Sequence, residues 1–470
     1  MTYLAKRKRN CLKKAMVGLL LSSTICAQAQ VAPFKKGDRV VFTGNSITDG
    51  GHYHSYIWLY YMTRFPNERI DVFNAGIGGD VAEQMYQRLD DDVFSHKPTV
   101  VTLTFGMNDA GYYDFLKPKP QADSIAKERI KQSYNSYQKI EKRFQDQPNV
   151  KKIIIAGSPY DETVKKPNNY FPGKAKAMQE IVSFQQASAQ KNNWGFVDFF
   201  HPMTDINSRE QAKDSTFTLG GGDRIHPSNN GHMVMAYLFL KTQGFAGKDV
   251  ADITVDAQKK TVSQQVNCKV SGLQTSSTNG IRFQYLANAL PYPVDTVPRG
   301  WMETKSQADG LQLVPFTQEM NREMLTVKGL QASKLYELMI DTINVGSFTG
   351  AAFDSGINLA TIDKTPEYKQ AMEVMYLNEE RWEIERKLRQ YYWMEFSFFR
   401  EKGLLFADNQ AALDTLNANM QKNIFLGGSR DSYLRAMHPE VRDTWRQEMA
   451  LLVDKIYTLN KPKEHIISIL

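Results

Sequence analysis

Cysteine is scarce in this chain: 470 residues carry only Cys11, Cys26 and Cys268. Two of the three fall in an amino-terminal stretch that reads as a cleavable leader. Lys6, Arg7, Lys8, Arg9, Lys13 and Lys14 precede an apolar run over 15–25, and Ala27-Gln28-Ala29 then offers small residues at a cleavage site. That is the layout of a secretory signal peptide over 1–29, removed after Ala29. A nuclear-localisation reading of KRKR loses to the apolar run and the cleavage site. The mature chain keeps Cys268 alone, which excludes a scaffold held by internal disulfides. Long hydrophobic runs are also missing. The run over 15–25 has 11 residues, too few to span a bilayer as a helix, so no transmembrane span is expected. An excess of one charge is absent as well. The whole chain has 58 basic and 51 acidic residues, and the leader takes away six basic ones, leaving 52 against 51. A near-neutral mature chain lacks the footprint of a nucleic-acid binder. The expected location is periplasmic or secreted. Lipoprotein anchoring at Cys26 ranks second, because Ile25 is bulky for a lipobox. No oligomeric state is implied.

The remaining composition, 42% hydrophobic and 23% charged, is that of an ordinary globular protein. Short apolar runs over 40–43, 70–74, 99–104, 152–156 and 195–199 alternate with helical patterns over 54–65, 81–93, 122–145, 173–191 and 230–242. Continuous rather than alternating apolar runs fit strands of a parallel sheet covered on both faces. This α/β region is expected over 30–248. Past Phe245 the pattern switches to period two, as in Val266, Cys268 and Val270, or Tyr336, Leu338 and Ile340. That pattern, with a turn at Ser276-Thr278-Asn279-Gly280, predicts antiparallel strands with one wet face in a β module over 249–365. A helical region follows over 366–470, with Leu377, Ile384, Leu388, Tyr392, Phe396 and Phe399 as one stripe and NEERWEIERKLRQ as the charged outer face. A second helix is expected over 439–457.

Chemistry concentrates at the carboxyl ends of the predicted strands, where open α/β folds keep their sites. The first strand runs into Gly44-Asn45-Ser46, which makes Ser46 a candidate nucleophile, with helix capping as the alternative job for a serine there. The second runs into NAGIGGD, whose glycines bare N–H groups for a phosphate or an oxyanion but are wrongly spaced for a dinucleotide fingerprint. The third ends in Gly106-Met107-Asn108-Asp109. Near the end of the region, Asp223 stands three residues before His226, and Pro227 stiffens that turn; such a carboxylate can orient one ring nitrogen while the other faces a serine. His52 and His54 lack a third ligand, so no metal and no cofactor are expected.

Gly44-Asn45-Ser46-Ile47, Gly79 within NAGIGGD, Asn108 within GMND, and Asp223-x-x-His226 together resemble the four blocks of the SGNH (GDSL-type) hydrolase superfamily. One departure is Asn45 where the GDSL motif has Asp, at a position that is not catalytic. The resemblance implies a flavodoxin-like three-layer α/β/α domain with a five-stranded parallel sheet. It implies Ser46 as nucleophile, His226 as general base oriented by Asp223, and Ser46, Gly79 and Asn108 as oxyanion donors. LTVKGLQASKLYELMIDTINVGSF, then SGINLA and TP, is similar to accessory regions of exported SGNH proteins from polysaccharide-degrading bacteria.

The expected activity is therefore hydrolysis of an ester through an acyl-enzyme, with a carbohydrate ester, most plausibly an O-acetyl group, as substrate. The crevice-side loops bring His52, Tyr53, Tyr112, Tyr113, Tyr160 and Phe217 among polar residues, a mixture that suits a sugar. Of these, His52, Tyr53 and Tyr160 are the candidate substrate contacts. The alternatives are a lipid or short-chain acyl esterase, or a carbohydrate-binding protein that kept the fold without the chemistry. If the β module binds sugar, Trp301 and Tyr292 are its candidates, with core or interface packing as an equal reading.

Overall fold

Five short strands at the centre are built from the runs the sequence marks as apolar: β1 (Arg39–Gly44), β2 (Asp71–Gly76), β3 (Val100–Phe105), β4 (Lys151–Ala156) and β5 (Gly195–Asp198). They pair in parallel in the order β2-β1-β3-β4-β5. The computed structural model describes residues 31–275, 280–300, 303–422 and 424–470. The expected leader with Cys11 and Cys26, most of the turn at Ser276-Thr278-Asn279, and Trp301 lie outside the described residues. β3 is buried along its whole length, because helices cover both sheet faces. These are α1 (Ser46–Asp49), α2 (Tyr53–Arg64), α3 (Ala82–Gln87), α4 (Lys119–Gln145), α5 (Lys174–Lys191), α6 (Phe200–Gln211) and α7 (Asn229–Thr242). α6 is absent from the sequence reading. Phe200, Met203, Ile206 and Asn207 form its buried stripe, and Pro202 sits in its first turn, where a missing N–H costs little. The strand order reverses between β2-β1 and β3, which puts the switch point, and the crevice it opens, at the carboxyl ends of β1 and β3.

The β module is a sandwich. One sheet has the order β13-β10-β6-β7, with β6 (Ala251–Asp256), β7 (Thr261–Val266), β10 (Glu323–Lys328) and β13 (Ile357–Asn358). The other has the order β12-β11-β14-β9-β8, with β8 (Cys268–Thr275), β9 (Ile281–Ala287), β11 (Leu335–Ile340), β12 (Ile343–Thr349) and β14 (His465–Ile469). Ile253, Val255, Leu325 and Val327 of one sheet share a core with Phe283, Tyr285, Leu338 and Ile467 of the other. Two features correct the sequence reading. β6 and β10 run parallel, not antiparallel, because a long excursion between β9 and β10 returns the chain in the same direction. And the central strand of the second sheet, β14, comes from the far end of the helical region, pairing with both β9 and β11. The excursion carries α8 (Gln307–Gly310) and α9 (Phe316–Met320) and belongs to the α/β core. There Tyr292 is 1% exposed and packs edge-on to Phe316, with Tyr60 beside both, so it is a core residue and not a sugar platform.

After α10 (Gly350–Ser355) the chain enters α11 (Pro366–Met394), whose Thr365 side chain caps the first turn by accepting from the Tyr368 N–H. α12 (Gln410–Asn419), α13 (Ile424–Ala436) and α14 (Pro439–Leu459) complete the helical region. Of the charged segment expected to face water, Glu380 and Glu383 are exposed, but half of its charges turn inward. Glu379, Arg381, Glu385 and Arg389 of α11 are all buried, because they meet polar groups of the α/β domain. Arg389 donates from Nη1 and Nη2 to Asp92, each at 2.7 Å, and Asp92 also takes Arg88 Nη1 at 2.5 Å. Arg88 in turn donates to the Ala75 and Gly44 carbonyls and to Asp80. Burial by itself would raise the Asp92 carboxyl, but Arg389 and Arg88 outweigh it and hold it below its ordinary value. Removing the anion strands the buried Arg389 and leaves Arg88 with Asp80 alone, so Asp92→Asn is expected to cost about 3–5 kcal/mol in denaturant unfolding.

A second buried group sits where α11 meets the sandwich. Both carboxylate oxygens of Glu367 lack a hydrogen-bond partner among the described residues, and Glu323 lies close by, accepting from the Tyr285 hydroxyl at 2.6 Å. Burial, with Glu323 adding repulsion, raises the Glu367 carboxyl above its ordinary value. A raised folded value means that folding retains a proton the unfolded chain gives up. Stability is then full below the ordinary glutamate value and falls as pH rises from there towards the folded value. Melting temperature should drop between about pH 5 and pH 8 in the wild type and drop less in Glu367→Gln.

Candidate active site

The corner after β1 is set by Asn45, not by Ser46. The Asn45 side chain accepts from the Ile47 N–H at 3.0 Å and caps α1, which leaves Ser46 as the first residue of that helix with its hydroxyl unused by the cap. The corner needs glycine at 44, since a Cβ there would stand 2.1 Å from Thr48 Oγ1. Ser46 Oγ lies 2.8 Å from His226 Nε2, and His226 Nδ1 lies 2.6 Å from Asp223 Oδ2. With the carboxylate accepting at Nδ1–H, Nε2 is left as acceptor for the Ser46 hydroxyl. The other Asp223 oxygen accepts the Ile225 and His226 N–H groups, both at 2.9 Å. Partial burial works to raise the Asp223 carboxyl, but the bonds from His226 and from these two amides keep it below its ordinary value. It therefore stays an anion fit to orient an imidazole.

Arg224 holds this turn and is not apparent from sequence reasoning. It has left-handed backbone at φ 69°, is 2% exposed, and donates to the carbonyls of Asn168 at 2.8 Å, Asp161 at 3.0 Å and Lys166. The only available signal was an arginine inside an Asp-x-x-His turn.

Gly79 has φ +90°, a conformation that L side chains rarely adopt, and its N–H has no partner among the described residues. Asn108 is fixed from both ends of its amide: Nδ2 donates to the Asp80 carbonyl at 3.0 Å and Oδ1 accepts from the Tyr112 hydroxyl at 2.6 Å. Asp109 ties that turn to the start of α3, accepting from the Gly106 N–H, the Ala82 N–H and the Ser133 hydroxyl.

The three candidate substrate contacts separate. His52 lines the crevice with Ser46 and His226, but its ring is buried, stacked on Trp382 at 3.9 Å, with Nε2 3.4 Å from Glu379 Oε2. Tyr53 is fully buried and bonds Thr48 Oγ1 at 3.0 Å, so it supports the corner from behind and meets no solvent. Tyr160 is 2% exposed, donating to the Asn169 carbonyl and accepting from the Phe171 N–H, so it staples its own loop. Aromatic residues next to a strand end are drawn into the core by their area, and sequence position alone does not reveal this. Tyr113 does face solvent, at 75% exposure.

The crevice at Ser46 is small, about 230 Å³. A larger cavity of about 490 Å³ lies at the amino ends of β3, β4 and β5, away from every group described above. Arg299 and Glu303 from the excursion and Arg386 from α11 line the crevice beside Ser46 and His226. The site is thus built from three stretches of the chain, not from the α/β domain alone.

A model of the GDSL-like lipase/acylhydrolase family matches residues 42–234, and a model of the diltiazem deacetylase C-terminal helical domain matches residues 372–461. A solved structure titled as BT4096, a gut microbial diltiazem-metabolizing enzyme, superimposes with a TM-score of 0.91 at 50% identity, over 94% of this chain and 99% of that one. The chain belongs to the SGNH (GDSL-type) hydrolase superfamily. It is an SGNH-type carboxylic ester hydrolase. It is also 27% identical over 227 residues to the acetylxylan esterase of Geobacillus stearothermophilus, covering 44% of this chain and 95% of that enzyme. A shorter likeness, 31% over 100 residues, links 20% of the chain to 39% of the uncharacterized lipoprotein YqeF of Bacillus subtilis (strain 168). In this SGNH esterase, Tyr53→Phe should leave kcat/KM on an acetyl ester within about twofold while costing roughly 0.5–1.5 kcal/mol in unfolding, the worth of one buried hydrogen bond.

Proposed function

We propose that the protein is an exported serine deacetylase acting on O-acetylated carbohydrates through an acetyl-enzyme. The observation that carries the reading is the unbroken chain Ser46 Oγ to His226 Nε2 at 2.8 Å and His226 Nδ1 to Asp223 Oδ2 at 2.6 Å. His226 Nε2 takes the Ser46 proton as Oγ attacks the ester carbonyl. The resulting oxyanion accepts from the Ser46 N–H, the Gly79 N–H and the Asn108 amide. Collapse breaks the bond to the alcohol, which leaves with the proton held on His226. Water then attacks the acetyl-Ser46 carbonyl with His226 again as base, and acetate departs as the serine is restored.

The acetyl group is favoured on two grounds. The acetylxylan esterase and the family named for diltiazem deacetylase have acetyl esters in common in their names and differ in the alcohol. The crevice of about 230 Å³ suits a small acyl group with the alcohol part lying outside. The polar rim of Arg299, Glu303 and Arg386 suits a hydroxyl-rich alcohol, and the leader over 1–29 suits a polymer met outside the cytoplasm. The 50% identity to BT4096 favours a second reading, in which the alcohol is a drug-like ring system carrying an acetate.

Acetate release from acetylated oligo- and polysaccharides and from diltiazem, with wild type beside Ser46→Ala, separates these readings. Acetate from one glycan that disappears in Ser46→Ala is the expected result. Acetate from diltiazem alone favours the second reading, and none from any of these esters rejects the deacetylase reading. Asn108→Ala should fold and lose about 10²–10³ in kcat.

A further inference from the structure

α11 touches the end of β2 and the loop after it at three points in register. The Asn74 N–H donates to Glu385 Oε1 at 3.0 Å, Arg389 donates to the Gly76 carbonyl at 2.9 and 3.1 Å, and Trp393 Nε1–H donates to the Gly78 carbonyl at 3.1 Å. Residues four apart on a helix share a face, about 6 Å from one to the next, and residues two apart on extended backbone repeat at nearly the same distance. So 385, 389 and 393 meet 74, 76 and 78 one to one. The last of these contacts falls on a peptide with a special position. The Gly78 carbonyl and the Gly79 N–H belong to one planar trans unit, whose two polar groups point in opposite directions. Fixing the oxygen on the indole fixes the direction of the N–H, and Gly79, at φ +90°, has no side chain to hold it otherwise.

We propose that Trp393 is the positioning residue of the oxyanion peptide: its indole N–H, held by the C-terminal helical region, orients the Gly78–Gly79 unit so that the Gly79 N–H faces the reacting carbonyl. The proposal rests on the reading of Gly79 as an oxyanion donor. The neighbouring bonds favour it. The Gly78 N–H is tied to Asp49 Oδ2 at 3.1 Å, and the Asp80 N–H donates to the Ile77 carbonyl at 3.2 Å, so the units on either side are fixed and the Trp393 contact sets the one between. A carbonyl that accepts a hydrogen bond also polarises its own peptide, which makes the N–H on the same unit a stronger donor. The indole itself packs edge-on to Phe425 of α13, so the helical region supports the ring as well as presenting it.

The test is Trp393→Phe, which keeps an aromatic ring and removes the donor, with Trp393→Tyr as a second variant. Kinetics on p-nitrophenyl acetate are read with the Gly79 amide signal in protein labelled with 15N-glycine. The expected result is a kcat lower by about tenfold, less than the loss of a whole donor, with KM within about twofold and a displaced Gly79 signal. An unchanged kcat in a variant that melts like the wild type overturns the proposal, as does an unmoved Gly79 signal. Loss of the fold in both variants overturns it too, by returning Trp393 to a purely structural part. Ser46→Ala is run in parallel. If it still turns over p-nitrophenyl acetate, the serine mechanism fails and this proposal with it. If it is inactive while Trp393→Phe keeps wild-type kcat, only the proposal on Trp393 falls.

Discussion

Two buried guanidiniums share one carboxylate, and the carboxyl edge of the sheet stands on that arrangement. Where strands end, their carbonyls lose the ladder, and a buried acceptor left unpaired costs about 1–3 kcal/mol. Arg88 covers the carbonyl of Ala75 and adds a second donor to that of Gly44, which also accepts from the Ile77 N–H, and Arg389 covers that of Gly76. Neither cation is tolerable there alone, so Asp92 stands between them and Asp80 takes the remaining face of Arg88. The two carboxylates respond differently. Burial raises Asp80 to about 6, with Arg88 opposing it, whereas Asp92, gripped by both arginines, is held below its ordinary value. Gly44 leads into the Ser46 corner and Gly76 into the Gly79 loop. The network therefore fixes the two backbone stretches on which an ester carbonyl would sit.

The α/β layer was legible because its signals are local. Continuous apolar runs and their helical partners placed all five strands to within two residues, and the Asp-x-x-His turn pointed to a carboxylate bonded to an imidazole. Asn45 illustrates a residue whose role needed coordinates: as the motif's variable position it seemed neutral, yet it is the cap that frees Ser46. Tyr53 and Tyr160 show the opposite. Both stand beside strand ends in the sequence, but whether an aromatic faces a crevice or the core is decided by neighbours that sequence distance does not reveal. β14 was out of reach for the same reason. A five-residue alternation at the end of a helical region carries no sign of which sheet, almost two hundred residues away, it will complete.

The charged stretch of α11 is the most instructive misreading. NEERWEIERKLRQ looks like a solvated face because charged residues are rarely buried unless paired. Here every buried charge is paired: Arg381 with Glu385, Arg389 with Asp92, Glu379 beside His52. Asp92 and His52 lie some three hundred positions earlier, where no spacing rule exposes them, and the Arg381–Glu385 pair at i,i+4 has the spacing that a solvated helix face also shows. The apolar residues of the same helix do their ordinary work elsewhere, Val374 and Met375 against the α/β core and Leu388, Tyr391 and Met394 against α12, α13 and α14. A helix with two burial faces of different character reads as amphipathic in the wrong sense.

The acetylxylan esterase likeness takes up 95% of that enzyme with 227 residues, which leaves it no length for counterparts of both the sandwich and the helical region. In this chain, and in BT4096, matched over 99% of its length, the extra regions are present together. The excursion and α11 bring Arg299, Glu303 and Arg386 to the crevice, and α11 also supplies partners for the backbone beneath it. One helix then both lines the site and braces it. Side chains of α11 thus stand both at the rim of the crevice, through Arg386, and on the carbonyls of Gly76 and Gly78 beneath it, through Arg389 and Trp393.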